Sequence, residues 1–211
     1  MDLLDQQAMQ GVLANAMSLA KPSVFEPEIQ ATHAALADTP SKPYEAALVI
    51  LGQLAGAVPS EGDGGNDAAP DATWIFGDTM WASWEAKSDA HEDGELGAED
   101  VRQAGGHLRY AATKRSQFIP GDSPGFLVTP QQRTHPSAHA VAENHVYLVR
   151  PAQVLDLFDR LVRAWRTART RDLDNLSLLD LATIFANEGA LPSQWVPRLR
   201  IDPLQRQHKQ D

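Results

Sequence analysis

With 211 residues, 43% apolar and 22% charged, the chain is long enough for one substantial core and short for two independent domains, and its balance is that of a folding sequence. A formal net charge of −10 argues against indiscriminate adhesion to nucleic acid, which relies on Lys and Arg displacing phosphate counterions, although an acidic chain can still carry a basic face. Zero cysteines exclude disulfides, thiolate metal sites and cysteine nucleophiles, and the lack of an apolar run near ~20 residues or of a basic leader leads us to expect a cytoplasmic protein with no membrane contact.

Residues 1–37 read as helical, with Leu3, Leu4, Met9, Val12, Leu13, Met17 and Leu19 loosely spaced and breaks expected at Lys21-Pro22 and Glu26-Pro27. Residues 38–43 form a turn-rich joint. From Tyr44 to Val58, Tyr44, Ala47, Leu48, Leu51, Leu54, Ala55 and Val58 recur at intervals of three and four, the stripe of a helix buried on one side. The stretch from Pro59 to Asp67, rich in glycine and acid, reads as a surface loop. Ala72 to Phe76 and Thr79 to Lys87 are predicted strands joined at Gly77-Asp78 as a hairpin.

A helix is expected from Ala98 to about Ala112, in which Gly105-Gly106 suggests close backbone packing. Gly125 to Thr129 and His145 to Arg150 are predicted strands flanking a short helix over Pro136 to Glu143. Pro151 opens a helix to about Thr170 that buries Val154, Leu155, Phe158, Leu161, Val162 and Trp165, and Ser177 to Asn187 forms one more, closed by Gly189. Gln205 to Asp211 is a polar tail. This order predicts an α/β fold, a mixed sheet covered by helices.

Within the second hairpin strand, alternation sends Trp81, Ser83, Glu85 and Lys87 to one face and Met80, Ala82, Trp84 and Ala86 to the other. Glu85 and Lys87 therefore sit together at the strand end. Closing the hairpin at Gly77-Asp78 brings Asp71 beside Glu85, whereas Asp78 lies about 23 Å away along extended chain at ~3.3 Å per residue. Two carboxylates with an adjacent ammonium suit a hard divalent cation and a phosphate.

Pro70-Asp71, thirteen intervening residues and then Glu85-Ala86-Lys87 resemble the PD-(D/E)XK motif of restriction-endonuclease-like nucleases. The family's core is a helix, a strand meander carrying the motif, a helix and a further strand, an order this chain follows from Tyr44 to Thr129. The resemblance implies a nuclease-like core over 43–150, an N-terminal helical extension over 1–42, and C-terminal helices and tail over 151–211. It further implies that Asp71 and Glu85, assisted by the main-chain carbonyl of Ala86 and by Glu45, hold magnesium or manganese. Lys87 would then orient or deprotonate the attacking water, a role suited to a lysine whose pKa falls on partial burial, with Gln103 assisting. DNA is the implied substrate, and a helicase or other DNA-processing subunit an implied partner. A noncatalytic subunit retaining the fold is the alternative, and a two-carboxylate glycosidase is remote.

Arg102, Arg109, Lys114 and Arg115 follow the motif and are candidates for backbone contact, as are Arg160, Arg163, Arg166, Arg169 and Arg171, which Asp156, Asp159 and Asp172 could instead balance. His135, His139 and His145 form at best a weak zinc pattern. His91 reads as a surface residue, Tyr110 as core or surface, and Trp74, Trp81 and Trp84 as core, with base stacking open to Trp81.

Overall fold

The computed structural model describes residues 1–19, 22–38, 41–61 and 68–205. Helices α1 (Leu3–Leu19), α2 (Pro22–Asp38) and α3 (Ser41–Leu54) precede strands β1 (Val58–Glu61), β2 (Ala72–Phe76), β3 (Met80–Ala86) and β4 (Glu95–Leu96). Then come α4 (Ala98–Arg115), β5 (Gly125–Val128), β6 (Arg133–Thr134), α5 (Pro136–Val141), β7 (Val146–Val149), α6 (Pro151–Thr170), a 3-10 turn (Leu173–Asn175), α7 (Leu178–Asn187) and α8 (Pro192–Leu199). The expected mixed sheet flanked by helices is present, with strands in the order β1-β2-β3-β5-β7. The first three pair antiparallel, and β5 and β7 join parallel to β3 and to each other.

Both sheet faces are covered, which is why every residue of β2, β3 and β5 is buried. On one face Trp74, Trp84, Phe126 and Val128 join residues of α1, α2, α3, α6, α7 and α8 in the largest cluster. On the other, Ile75 and Trp81 pack on Leu108 and Ala111 of α4, while Leu127 and Val146 meet Val101, Ala104 and Ala138. Strand alternation is thus expressed as two helical layers. Trp81 is 2% exposed and belongs to the core, so it presents no ring for base stacking.

Side-chain hydrogen bonds lock the terminal helices to this framework. Trp165 donates its indole N–H to the Leu54 carbonyl at 2.8 Å, satisfying a carbonyl in the last turn of α3. Asp5 accepts from the Ser193 amide and hydroxyl at 2.9 and 2.7 Å, capping α8 from α1. Backbones approach closely where α1 crosses the end of α3. A Cβ on Gly11 would lie 1.8 Å from the Gly56 carbonyl oxygen, and Gly56 itself has a φ of +80°.

Several expectations need correction. Helix α2 runs through Pro27 instead of breaking there, because Phe25, Ile29, Thr32 and Leu36 bury one continuous stripe whose packing outweighs the backbone hydrogen bond the proline removes. Helix α3 starts at Ser41 and stops at Leu54; the expected last turn gives way to β1, a short edge strand on which Pro59 is tolerated. Residues 62–67 of the expected loop, 39–40 of the joint, 20–21 at the first break and 206–211 of the tail lie outside the described residues. Helix α4 extends to Arg115, ending at Ser116 in the left-handed conformation.

Close packing explains Gly105, where a Cβ would lie 2.9 Å from the Glu143 side chain, but Gly106 faces open space. The parallel pair β4-β6 is too short to show alternation, and helix α8 is short and carries Pro192 and Pro197, which read as breakers, so neither is foreseen. Among the described residues, no helix is long and apolar enough to cross a membrane.

Candidate active site

The carboxyl end of β3 is where the hairpin, α3 and α4 bring charge together. Ladder pairing of Ala72 with Trp84 and Phe76 with Met80 fixes the hairpin register. It continues one residue further, since the Asp71 amide donates to the Trp84 carbonyl at 2.9 Å. The Ala86 amide then donates to the Asp71 carboxylate at 2.6 Å, so this side chain stands in for a strand carbonyl and is held beside Glu85. On the opposite edge the Lys87 amide donates to the Val128 carbonyl at 2.8 Å, keeping the strand straight through the motif.

Glu85 is 2% exposed, and both its oxygens are engaged. Its Oε1 meets the Lys87 ammonium at 2.9 Å and its Oε2 meets His107 Nε2 at 2.7 Å. Lys87 also donates to Gln103 Oε1 at 3.4 Å and lies 3.7 Å from Asp100. The structure therefore brings Asp71, Glu85, Ala86, Lys87 and Gln103 into one neighbourhood. Glu45 joins them electrostatically, being close enough to help raise the pKa of Asp71. It sits beyond the first turn of α3, so the helix dipole does not explain its position.

Burial first, then the charge of Glu85 and, less, that of Glu45, push the Asp71 carboxyl up to about 7, against the opposing Ala86 N–H and Lys87. Glu45 is also raised, by burial and then by Glu85 and Asp89, with Lys42 and Lys87 opposing. Lys87 departs from expectation. Burial works to lower it, but its hydrogen bond to Glu85 and the charges of Glu85, Asp100 and Asp71 outweigh that and hold it above its ordinary value. The sequence-based idea of a lysine made basic by burial is therefore overturned: three carboxylates keep it an ammonium.

Sequence reasoning missed His107 and Asp100. His107 follows Gln103 by four residues, so both lie on one side of α4. That spacing was the available signal. Asp78, by contrast, is exposed at the turn, where Gly77 has a φ of +53° and the Thr79 amide donates to the Phe76 carbonyl at 3.1 Å.

The basic groups also separate. Arg160, Arg163 and Arg166 pair with Asp156, Glu188 and Glu26 at 2.7, 2.9 and 2.7 Å, and Arg169 stacks 4.3 Å from the centre of Phe25, so these four are engaged within the fold, while Arg171 is exposed at the end of α6. On α4, Arg102, Arg109, Lys114 and Arg115 are exposed; Arg109 has a loose contact with Glu143 at 3.7 Å, and Lys114 lies 5.9 Å over half-buried Tyr110.

The three candidate zinc histidines do not share a site. His135 caps α5, accepting from the Ser137 amide at 3.2 Å, while His139 contacts the Leu204 carbonyl at 2.9 Å. Burial, offset partly by Glu143, lowers the pKa of His145. His91 is at the surface. Among the described residues, no three His, Asp or Glu side chains form a ready-made metal cage. No family model matches this chain, and no curated protein or solved structure matches it.

Proposed function

We propose that the chain is a metal-dependent nuclease of the restriction-endonuclease-like type, hydrolysing phosphodiester bonds of DNA at the carboxyl end of β3. The observation carrying this reading is Asp71 held by the Ala86 amide beside buried Glu85, with Lys87 at 2.9 Å from that carboxylate. Apart from the two-residue strand β4, which pairs outside the main sheet, the order α3-β1-β2-β3-α4-β5 supports it as well, being a helix, an antiparallel meander, a helix and a strand returning parallel to β3.

The donor set fits a hard divalent cation. Magnesium is held through one or two carboxylates, with water and substrate phosphate completing its shell. Asp71 keeps its proton up to about 7 because burial and Glu85 crowd it, and that repulsion is what a cation relieves. Asp71, Glu85 and the Ala86 carbonyl would hold magnesium or manganese, with Glu45 adding charge. Such an ion, when bound, supplies Lewis acidity at the phosphate and a more acidic water.

The remaining work belongs to the chain. Lys87, kept protonated, orients the attacking water and faces the negative charge that builds on the phosphate; it does not abstract the proton. Gln103 steadies the ammonium from α4. The Arg102 and Arg109 face of α4 supplies backbone contact.

A second reading has one observation in its favour: both Glu85 oxygens are already paired within the protein, as in a purely structural ion network. A noncatalytic nucleic-acid-binding subunit would have that property. Incubating the purified chain with circular and linear DNA in magnesium, manganese or chelator separates the two. Cleavage with metal alone is expected; intact DNA under all conditions contradicts the nuclease reading.

A further inference from the structure

We infer that His107 is a positioning residue that holds Glu85 and the segment delivering Asp71 in register for cation binding, an inference that rests on the reading of the site just given. His107 is 1% exposed, and both ring nitrogens are used. Its Nδ1 lies 3.1 Å from the Ala68 carbonyl. A carbonyl only accepts, so Nδ1 carries a hydrogen and the ring orientation is fixed. Its Nε2 meets Glu85 Oε2 at 2.7 Å, and because neither a bare ring nitrogen nor a carboxylate oxygen can donate, this contact holds a second hydrogen, shared between the ring and the carboxyl group.

One ring thus spans two parts of the site. Ala68 lies three residues before Asp71, on the approach to β2, while Glu85 lies on β3. The ladder holds these strands together only from Asp71 onward. His107 adds a tie upstream of it, from α4. It also fixes Glu85 Oε2, while Lys87 at 2.9 Å holds Oε1. An imidazole bonded to a ligand carboxylate on one side and a main-chain carbonyl on the other is the kind of outer support that sets ligand orientation, and removing it typically weakens metal affinity about 10- to 100-fold.

An opposite effect competes. A ring that merely adds positive character beside Glu85 would repel a cation, so its removal would tighten binding. The two roles therefore predict changes of opposite sign.

The experiment is calorimetric titration of the full chain with manganese at fixed pH, on wild type, Asp71→Asn, His107→Phe and His107→Gln, with circular dichroism confirming the fold. His107→Phe keeps the ring volume without hydrogen bonds, and is expected to weaken manganese binding about 10- to 100-fold. His107→Gln, whose amide reaches toward Glu85, is expected to recover most of the loss. His107→Asn, with a reach to Ala68 but not to Glu85, replaces the phenylalanine variant should that not fold. Unchanged or tighter binding in His107→Phe, or a glutamine no better than phenylalanine, overturns the inference alone, provided that wild type binds manganese and Asp71→Asn does not. A wild type that binds no manganese overturns this inference together with the proposed function.

Discussion

The two ends of the β2-β3 hairpin each carry an aspartate, and only one of them lies among other charged side chains. Asp78 lies exposed in the turn, where its charge is solvated. Asp71 is half-buried, accepts the Ala86 amide at 2.6 Å, and shares its surroundings with Glu85, Glu45 and Lys87. Residue type is the same at both ends; the backbone differs, a turn at Asp78 and a continuing ladder at Asp71, and only Asp71 has other charged side chains gathered around it. An acid is perturbed here through forced proximity to other charges away from water, not through its position in a turn.

The largest expected effect is at the crowded end. Lys87→Ala and Glu85→Gln should each lower metal-dependent DNA cleavage by at least about a hundredfold, the first by removing a cation that faces transition-state charge and the second by weakening a carboxylate that holds the metal. Lys87→Ala should lower the thermal melt, because it leaves the buried Glu85 carboxylate without its ammonium partner, so the fold of the variant is confirmed below its melt before cleavage is read. Glu85→Gln, altering a buried carboxylate, should also lower the melting temperature. Single-turnover kinetics beside thermal melts check both, and cleavage near the wild-type rate in either variant would equate the two ends.

A stability measurement sharpens the contrast next. The folded Asp71 pKa of about 7 lies above its ordinary value of 3.8, so the fold binds this proton more tightly than the unfolded chain does. Its contribution is therefore fully favourable below about 3.8 and is lost as pH rises toward 7. Asp71→Asn removes that penalty and should stabilise the metal-free protein by about 1–2 kcal/mol at pH 8, a figure discounted for partial exposure, with the gain vanishing toward pH 4. Asp78→Asn should show no such pH-dependent gain. Denaturant melts across the pH range, in chelator, decide it.

Binding should give a smaller change. Arg102→Glu with Arg109→Glu is expected to weaken DNA affinity severalfold and to flatten the log-log salt dependence by roughly 1 to 2, as one or two phosphate contacts are lost. Arg163→Glu with Arg166→Glu should leave that slope alone, because those side chains pair with Glu188 and Glu26. Fluorescence anisotropy at several salt concentrations measures both pairs.

Much of this arrangement was legible in the sequence, because periodicity and turn chemistry are local. Alternation along β3 put Glu85 and Lys87 on one face, the face that α4 covers in the structure, and Gly77-Asp78 set the hairpin register that returns Asp71 to Glu85. What escaped depends on tertiary contact. His107 is one turn from Gln103, but nothing local says that α4 lays it on Glu85. The rise in the Lys87 pKa needs three carboxylates from separate segments, whereas burial alone points the other way. Strand β1 carries Pro59 and no clear alternation, so only its pairing with β2 reveals it.

The most direct test compares the two hairpin acids in one cleavage assay. Wild type, Asp71→Asn and Asp78→Asn are incubated with plasmid DNA in magnesium or manganese, and the first-order loss of supercoiled substrate is measured. Asp71→Asn is expected to abolish metal-dependent cleavage, while Asp78→Asn retains most of it. Cleavage that survives Asp71→Asn and disappears with Asp78→Asn would contradict the assignment of the active site to the Asp71 and Glu85 end of the hairpin.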